Sequence, residues 1–307
     1  NPLDLQIPLS IASRRVVLVG DQRQLPHIVD SAIANAVAAG DAERIELEES
    51  LFGRLFRFLR AEREAGGPDR VVTLNKQFRM HPTLGSFVSR SFYEPFGERI
   101  ESPRPASDFA HTLPGYEGRV ASWLDVPRSA GTEEKVGASR CRDCEAAKVA
   151  DEAKRLMEEA PGLTFGIITF YRAQAELILE YLHHLGVADR DPDRGTLDIT
   201  SDHWRFTTDT RGETVERLRV GTVDAFQGKE FDVAILSTVR TPRPEATSAS
   251  GAFGHLQIMN RLCVAMSRQR RLLIAVGDRV GLTTHPLAED HIGPLVAFSG
   301  LCEEGVR

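Results

Sequence analysis

Five polar stretches of the chain carry side chains suited to chemistry rather than packing. They are GDQRQLP at residues 20–26, QFRMHP at 77–82, TFYRAQ at 169–174, VGTVDAFQGKEFD at 220–232 and NRLCVAMSRQR at 260–270. Arginine, glutamine and threonine recur in them. Planar guanidinium forks, neutral amides and hydroxyls suit the oxygens of a polyphosphate. The last stretch sharpens the expectation. A helix over 258–271 would bury Ile258, Leu262, Ala265 and Met266 on one face. Arg261 and Arg268, seven residues apart, would then project from one flank. Two guanidinium groups held in that way form a fixed positive site for charge that develops in a transition state. His81, next to Pro82, reads as a structural histidine.

One expected companion is absent. The phosphate cradle G-x-x-x-x-G-K-[ST] does not occur. Gly228-Lys229 is followed by Glu230 and has no glycine five positions earlier. No apolar run ends in Asp-Glu, the pair that would hold Mg²⁺ and orient water.

Rigid elements must position these groups. Continuous apolar runs occur at 16–19, 71–74, 165–168, 233–236 and 272–276. Without apolar–polar alternation they read as strands buried on both faces, as in a parallel sheet. Helical periodicity falls between them, at 50–59 and at 173–185. Strands alternating with helices predict an α/β fold, in which ligands bind at the carboxyl ends of the strands. Residues 102–119 read as loop, 126–145 as a polar and mobile segment, and 187–216 as a polar insertion.

Bulk properties narrow the classes. The chain has 307 residues, 41% hydrophobic and 27% charged, with a formal net charge of −6. It is long enough for one large or two medium domains. It is no globally basic nucleic-acid coat, so any nucleic-acid contact must be a local patch. Only five of the 38 basic residues are lysine. No apolar stretch approaches the ~20 residues that span a bilayer, and no membrane contact is expected. One C-x-x-C pair, Cys141 and Cys144, with distant Cys263 and Cys302, makes a weak metal signal. No metal site is expected, and reduced thiols point to the cytoplasm.

Taken in order, the five stretches resemble motifs III, IV, IVa, V and VI of superfamily-one helicases. QFRMHP with VDAFQGKE is similar to the branch that contains the nonsense-mediated-decay helicase and the Okazaki-fragment helicase–nuclease. The resemblance runs from about residue 1 to 280. It implies a RecA-like P-loop NTPase fold, a parallel sheet flanked by helices. Residues 1–69 would be the C-terminal remnant of a first RecA-like domain and 70–307 the second domain.

The resemblance also implies roles. Gln24, Arg79 and Arg268 would act on the γ-phosphate of ATP. Asp21, Gln77, Glu230 and Arg261 would complete the nucleotide site, with Glu230 on the ribose. Thr169, Arg172 and Thr222 would contact the backbone of single-stranded DNA or RNA, and Gln227 would couple the two sites. The Mg²⁺ ligands would lie in a preceding half that this chain lacks, so the chain alone would be inactive. A degenerate motor kept as a nucleic-acid or protein-binding module is the alternative. Some positions depart from the family: His27 and Phe170 stand where proline is common, and Leu-Cys-Val-Ala-Met-Ser where Leu-Asn-Val-Ala-Leu-Thr is usual.

Overall fold

The computed structural model describes residues 9–25, 50–191, 195–209 and 211–304. The chain divides into two compact units, Asn1–Leu74 and Asn75–Arg307.

In the first unit the main element is helix α1, Leu51–Glu64. Ser50 caps it, its Oγ accepting the Gly53 N–H at 3.0 Å, which satisfies a donor that the first turn leaves open. The strands expected at 16–19 and 71–74 are not formed. Both runs lie outside any ladder among the described residues. Val17, Val19, Val72 and Leu74 are each more than 80% exposed. An apolar run becomes a strand only where a neighbouring strand takes up its backbone groups, and these two find none.

The second unit is built on a five-stranded parallel sheet. Its strands are β1 (Ala121–Asp125), β4 (Phe165–Thr169), β9 (Leu218–Thr222), β10 (Phe231–Ser237) and β11 (Gln269–Gly277), ordered β1-β11-β10-β4-β9. Every residue of β4 and β10 is buried, as continuous apolar runs require. Three short antiparallel pairs complete the strands: β2 (Glu134–Val136) with β3 (Ser139–Cys141), β5 (Asp189–Arg190) with β6 (Leu197–Asp198), and β7 (Phe206–Thr208) with β8 (Thr214–Glu216). The last two lie in the 187–216 insertion.

Helices cover the sheet. Helix α2 spans Pro82–Val88, α3 Asp143–Glu159, α4 Arg172–His184, α5 Met259–Ala265 and α6 Ala288–Glu304. Helix α3 buries Ala146, Val149, Ala150, Ala153, Leu156 and Met157, a stripe at helical spacing. Its stripe and Ile178 and Leu182 of α4 share a core with Phe165, Ile167, Val233, Ile235, Leu272 and Ile274. Alternate residues Ile168, Ala234, Leu236 and Leu273, equally buried, face the other side of the sheet. Phe298 of α6 lies 5.7 Å from the Phe87 ring and 6.2 Å from that of Trp123 in β1. No described helix is long and apolar enough to cross a membrane.

Segment 126–145 is anchored, against the expectation of a mobile loop. Arg142 and Glu145 are fully buried and 3.1 Å apart. The Arg142 guanidinium also donates to the carbonyls of Gly131, Val126 and Pro127, at 3.0, 2.7 and 2.9 Å. Glu145 accepts from Ser237 Oγ at 2.7 Å and from the Val239 N–H at 2.8 Å. Val239 has φ 66°, a conformation costly for a β-branched residue. Burial pushes the Glu145 carboxyl upward, and these donors oppose that shift. Arg142 and Glu145, part of the polar composition that suggested mobility, are spent on internal bonds, while residues 134–138 stay exposed.

Candidate functional site

The predicted residues collect in three places. In the first unit, Asp21 organises the turn after Gly20. Its carboxylate accepts the Arg23 N–H at 2.9 Å and the Gln24 side-chain amide at 2.8 Å. Asp21 and Gln24 therefore act as one hydrogen-bonded group. Pro26, which ends that stretch, and His27, which follows it, lie outside the described residues.

The second place is at the amino ends of β10 and β11. Arg79 Nε donates to Glu230 Oε2 at 2.9 Å, and its Nη1 donates to the Ser267 carbonyl at 2.9 Å. Arg268 Nη2 donates to Ser267 Oγ at 2.8 Å, and Nε to the Val264 carbonyl at 3.0 Å. Three segments far apart in sequence thus meet in one bonded cluster. Arg268 is 1% exposed and turned inward. The Arg79 side chain is 29% exposed and that of Glu230 46%, so these two face solvent.

Arg79 is aimed by its own loop. Gln77 Nε2 donates to the Met80 carbonyl and to Ser102 Oγ, at 2.9 and 2.6 Å, while its Oε1 accepts the Met80 N–H at 2.7 Å. Its amide is committed to the loop, so Gln77 is placed as a brace. The His81 N–H donates to the Arg270 carbonyl at 2.8 Å, tying the loop to β11. His81 Nδ1 accepts the Thr83 N–H at the start of α2. Burial, with His111 close by, holds His81 below the ordinary imidazole value and leaves that nitrogen free to accept.

Two expectations are corrected here. The cluster lies at the amino ends of its strands, because Glu230 and Arg268 come immediately before β10 and β11. The helix expected over 258–271 stops at Ala265, and β11 begins at Gln269. Strand pairing of the run that follows overrides helical periodicity. Arg261 and Arg268 therefore do not project from one helix flank.

Arg261 belongs to the third place, a groove of about 500 Å³ lined by Val136, Ser139, Tyr171, Arg172, Thr222, Asp224, His255 and Arg261, among others. It opens at the carboxyl ends of β4 and β9, where Thr169 and Thr222 are register partners. Arg172 is held to Glu176 at 2.8 Å and Arg261 to Asp224 at 3.4 Å. Gln227 is exposed on the turn joining Thr222 to Glu230. Burial, reinforced by the Arg261 and Arg240 charges, holds His255 below the ordinary imidazole value. It faces the groove as a neutral ring beside Tyr171, 5.1 Å away.

Thr169 is fully buried and lies behind the groove wall. Its Oγ1 has no hydrogen-bond partner among the described residues. Thr169→Val is expected to raise stability by about 1 kcal/mol, since it removes an orphaned buried hydroxyl. Urea unfolding checks this. A lower midpoint would show that the hydroxyl has a partner after all.

Sequence reasoning passed over Ser267, Asp224, His255 and the β2–β3 hairpin. Ser267 and Asp224 stand inside the quoted motifs and were legible as positions. The hairpin and His255 reach the groove only through tertiary folding.

Comparison with known proteins adds the following. Residues 47–280 match the model of the AAA domain family. A regulator of nonsense transcripts 1 homolog from Neurospora crassa is 28% identical over 291 residues, covering 92% of this chain and 22% of that protein. The ATP-dependent helicase upf1 of Schizosaccharomyces pombe is 28% identical over 290 residues, covering 92% and 26%. The regulator of nonsense transcripts 1 of Dictyostelium discoideum is 30% identical over 291 residues, covering 92% and 18%. The chain thus spans about a quarter or less of the length of these relatives.

Proposed function

The chain belongs to the AAA domain family, and on that premise we propose that it is the C-terminal part of an ATP-dependent superfamily-one helicase or translocase. The observation that carries the reading is the bonded cluster of Arg79, Glu230, Ser267 and Arg268, drawn from three separated segments. Its relatives include a protein named as an ATP-dependent helicase.

Arg79 offers an accessible guanidinium for a terminal phosphate oxygen. Arg268 would exchange its bond to Ser267 Oγ for a second oxygen. A planar fork suits both contacts, and two such groups stabilise charge on a transferring phosphoryl. Glu230 would accept from a ribose hydroxyl, and Gln77 would hold Arg79 in place. Gln24, its amide steadied by Asp21, would serve the first unit as a phosphate sensor. Bound ATP supplies the phosphoryl-transfer free energy. Among the described residues no three His, Cys, Asp or Glu side chains group to hold a metal ion, and we place the Mg²⁺ ligands in an N-terminal RecA-like half.

Arg172, Thr222 and Arg261 would hold the backbone of single-stranded DNA or RNA, with Gln227 on the turn that links groove and cluster. This moves Arg261 from the nucleotide to the strand. A cytoplasmic location fits the free thiols of Cys141, Cys144, Cys263 and Cys302.

The test is ATP hydrolysis with and without single strands, on these 307 residues and on the longest natural chain containing them. Silence from the shorter chain and strand-stimulated turnover from the longer one are expected. A longer chain that binds strands but hydrolyses nothing would sink the motor reading in favour of a binding module.

A further inference from the structure

The β2–β3 hairpin reaches the strand groove without belonging to any recognised motif. Val136 and Ser139 are register partners, so both side chains leave the same face of the hairpin, and both line the groove. Val136 is 51% exposed. A single exposed valine ordinarily means nothing. This one stands on a rigid support, opposite charged and hydroxyl groups.

The support is visible bond by bond. Ser139 Oγ accepts the Ala173 N–H at 3.1 Å, which fixes the hairpin to the first turn of α4, beside Arg172. Arg142, just beyond β3, is buried and bonded to Gly131, Val126 and Pro127. Glu133, just before β2, accepts the Thr241 N–H at 2.7 Å and lies 3.4 Å from Arg240. Both ends of the hairpin are thus pinned, while β2 and the tip, residues 134–138, are exposed.

The charges of the groove make an apolar wall necessary. Arg172 and Arg261 each already face a carboxylate, Glu176 and Asp224. A phosphate must displace those partners and gains correspondingly little. A polymer that adds an apolar contact for each phosphate contact overcomes this. Single-stranded nucleic acid has that composition, with ribose and base faces between its phosphates.

We propose that the β2–β3 hairpin is the side wall of this groove. Val136 packs against the ribose or base of a single strand whose phosphates lie on Arg172, Thr222 and Arg261. The inference rests on the reading of the groove as a strand site and adds the wall to it.

The test is fluorescence anisotropy of labelled dT and rU homopolymers with the whole chain. Val136→Ser removes apolar methyl contact and is expected to weaken binding about tenfold for whichever polymer binds, with an unchanged salt slope. Val136→Leu should recover the lost affinity. Arg172→Ala should weaken binding and reduce the salt slope by about one. Because the Val136 side chain is half-exposed, the melting temperature should not move. Weakening by Arg172→Ala without weakening by Val136→Ser would overturn the wall and keep the groove. If neither variant weakens binding, the groove reading itself fails and the wall fails with it.

Discussion

Arg268→Ala, made in the longest natural chain that contains these residues, is expected to lower strand-stimulated ATP turnover roughly a thousandfold. That is the low end of what a guanidinium contributes to phosphoryl transfer. Binding of a fluorescent ATP analogue should weaken far less, because the contact matters most as charge develops in the transition state. Arg268→Lys should recover little, since an ammonium lacks the planar fork. Folding must be read separately. Arg268 is almost fully buried and bonded to Val264 and Ser267. Its removal loses two charge-assisted hydrogen bonds at a cost of about 1–3 kcal/mol, although the Val264 carbonyl keeps the Ser267 N–H and hydroxyl as donors. A variant that melts near the wild-type temperature and does not turn over supports the role. Full turnover would remove Arg268 from the chemistry.

A second large effect is expected in stability. Arg142→Ala should lower the unfolding free energy by about 3–5 kcal/mol, because Glu145 is left as an uncompensated buried charge. The loss should exceed that of Glu145→Gln, which keeps an acceptor for Ser237 and Val239. Replacing both residues by methionine should restore little, because the Val239 N–H and the Val126 and Pro127 carbonyls then lose their partners. Urea midpoints of the three variants decide the matter. A loss below about 1 kcal/mol for Arg142→Ala would mean that the pair does not hold the 126–145 segment.

The sequence made the middle of the fold visible and hid its edges. The centres of strands β4, β10 and β11 are buried on both faces, so residues 165–168, 233–236 and 272–276 are apolar without interruption. Helix α4 was legible because its apolar residues repeat on one face. The edge strands β1 and β9 are only partly buried. Ala121–Asp125 and Leu218–Thr222 therefore carry mixed residues and gave no continuous run. The runs at 16–19 and 71–74 failed for the opposite reason, since apolar composition cannot supply a neighbouring strand. At the site, residue types were legible and their grouping was not. Arg261 and Arg268 lie seven residues apart on a sequence that reads as helix. The α5–β11 junction sends one to the groove and the other to the cluster. The polar 126–145 segment read as mobile because composition does not show that Arg142 and Glu145, two of its charged residues, form a buried anchoring pair.

The paired arginines of the groove have a kinetic consequence. A guanidinium beside a carboxylate is nearly neutral at a distance, and the chain as a whole carries −6. Oppositely charged neighbours cancel beyond a Debye length, about 8 Å at physiological salt. A single strand binding as proposed would therefore feel little attracting field from these pairs until it is almost in place. Association should fall near the unsteered range of about 10⁵–10⁶ M⁻¹s⁻¹, far below that of a basic groove. The encounter is set by diffusion and orientation, and whatever selectivity the groove has is exercised after contact, in how long the strand stays.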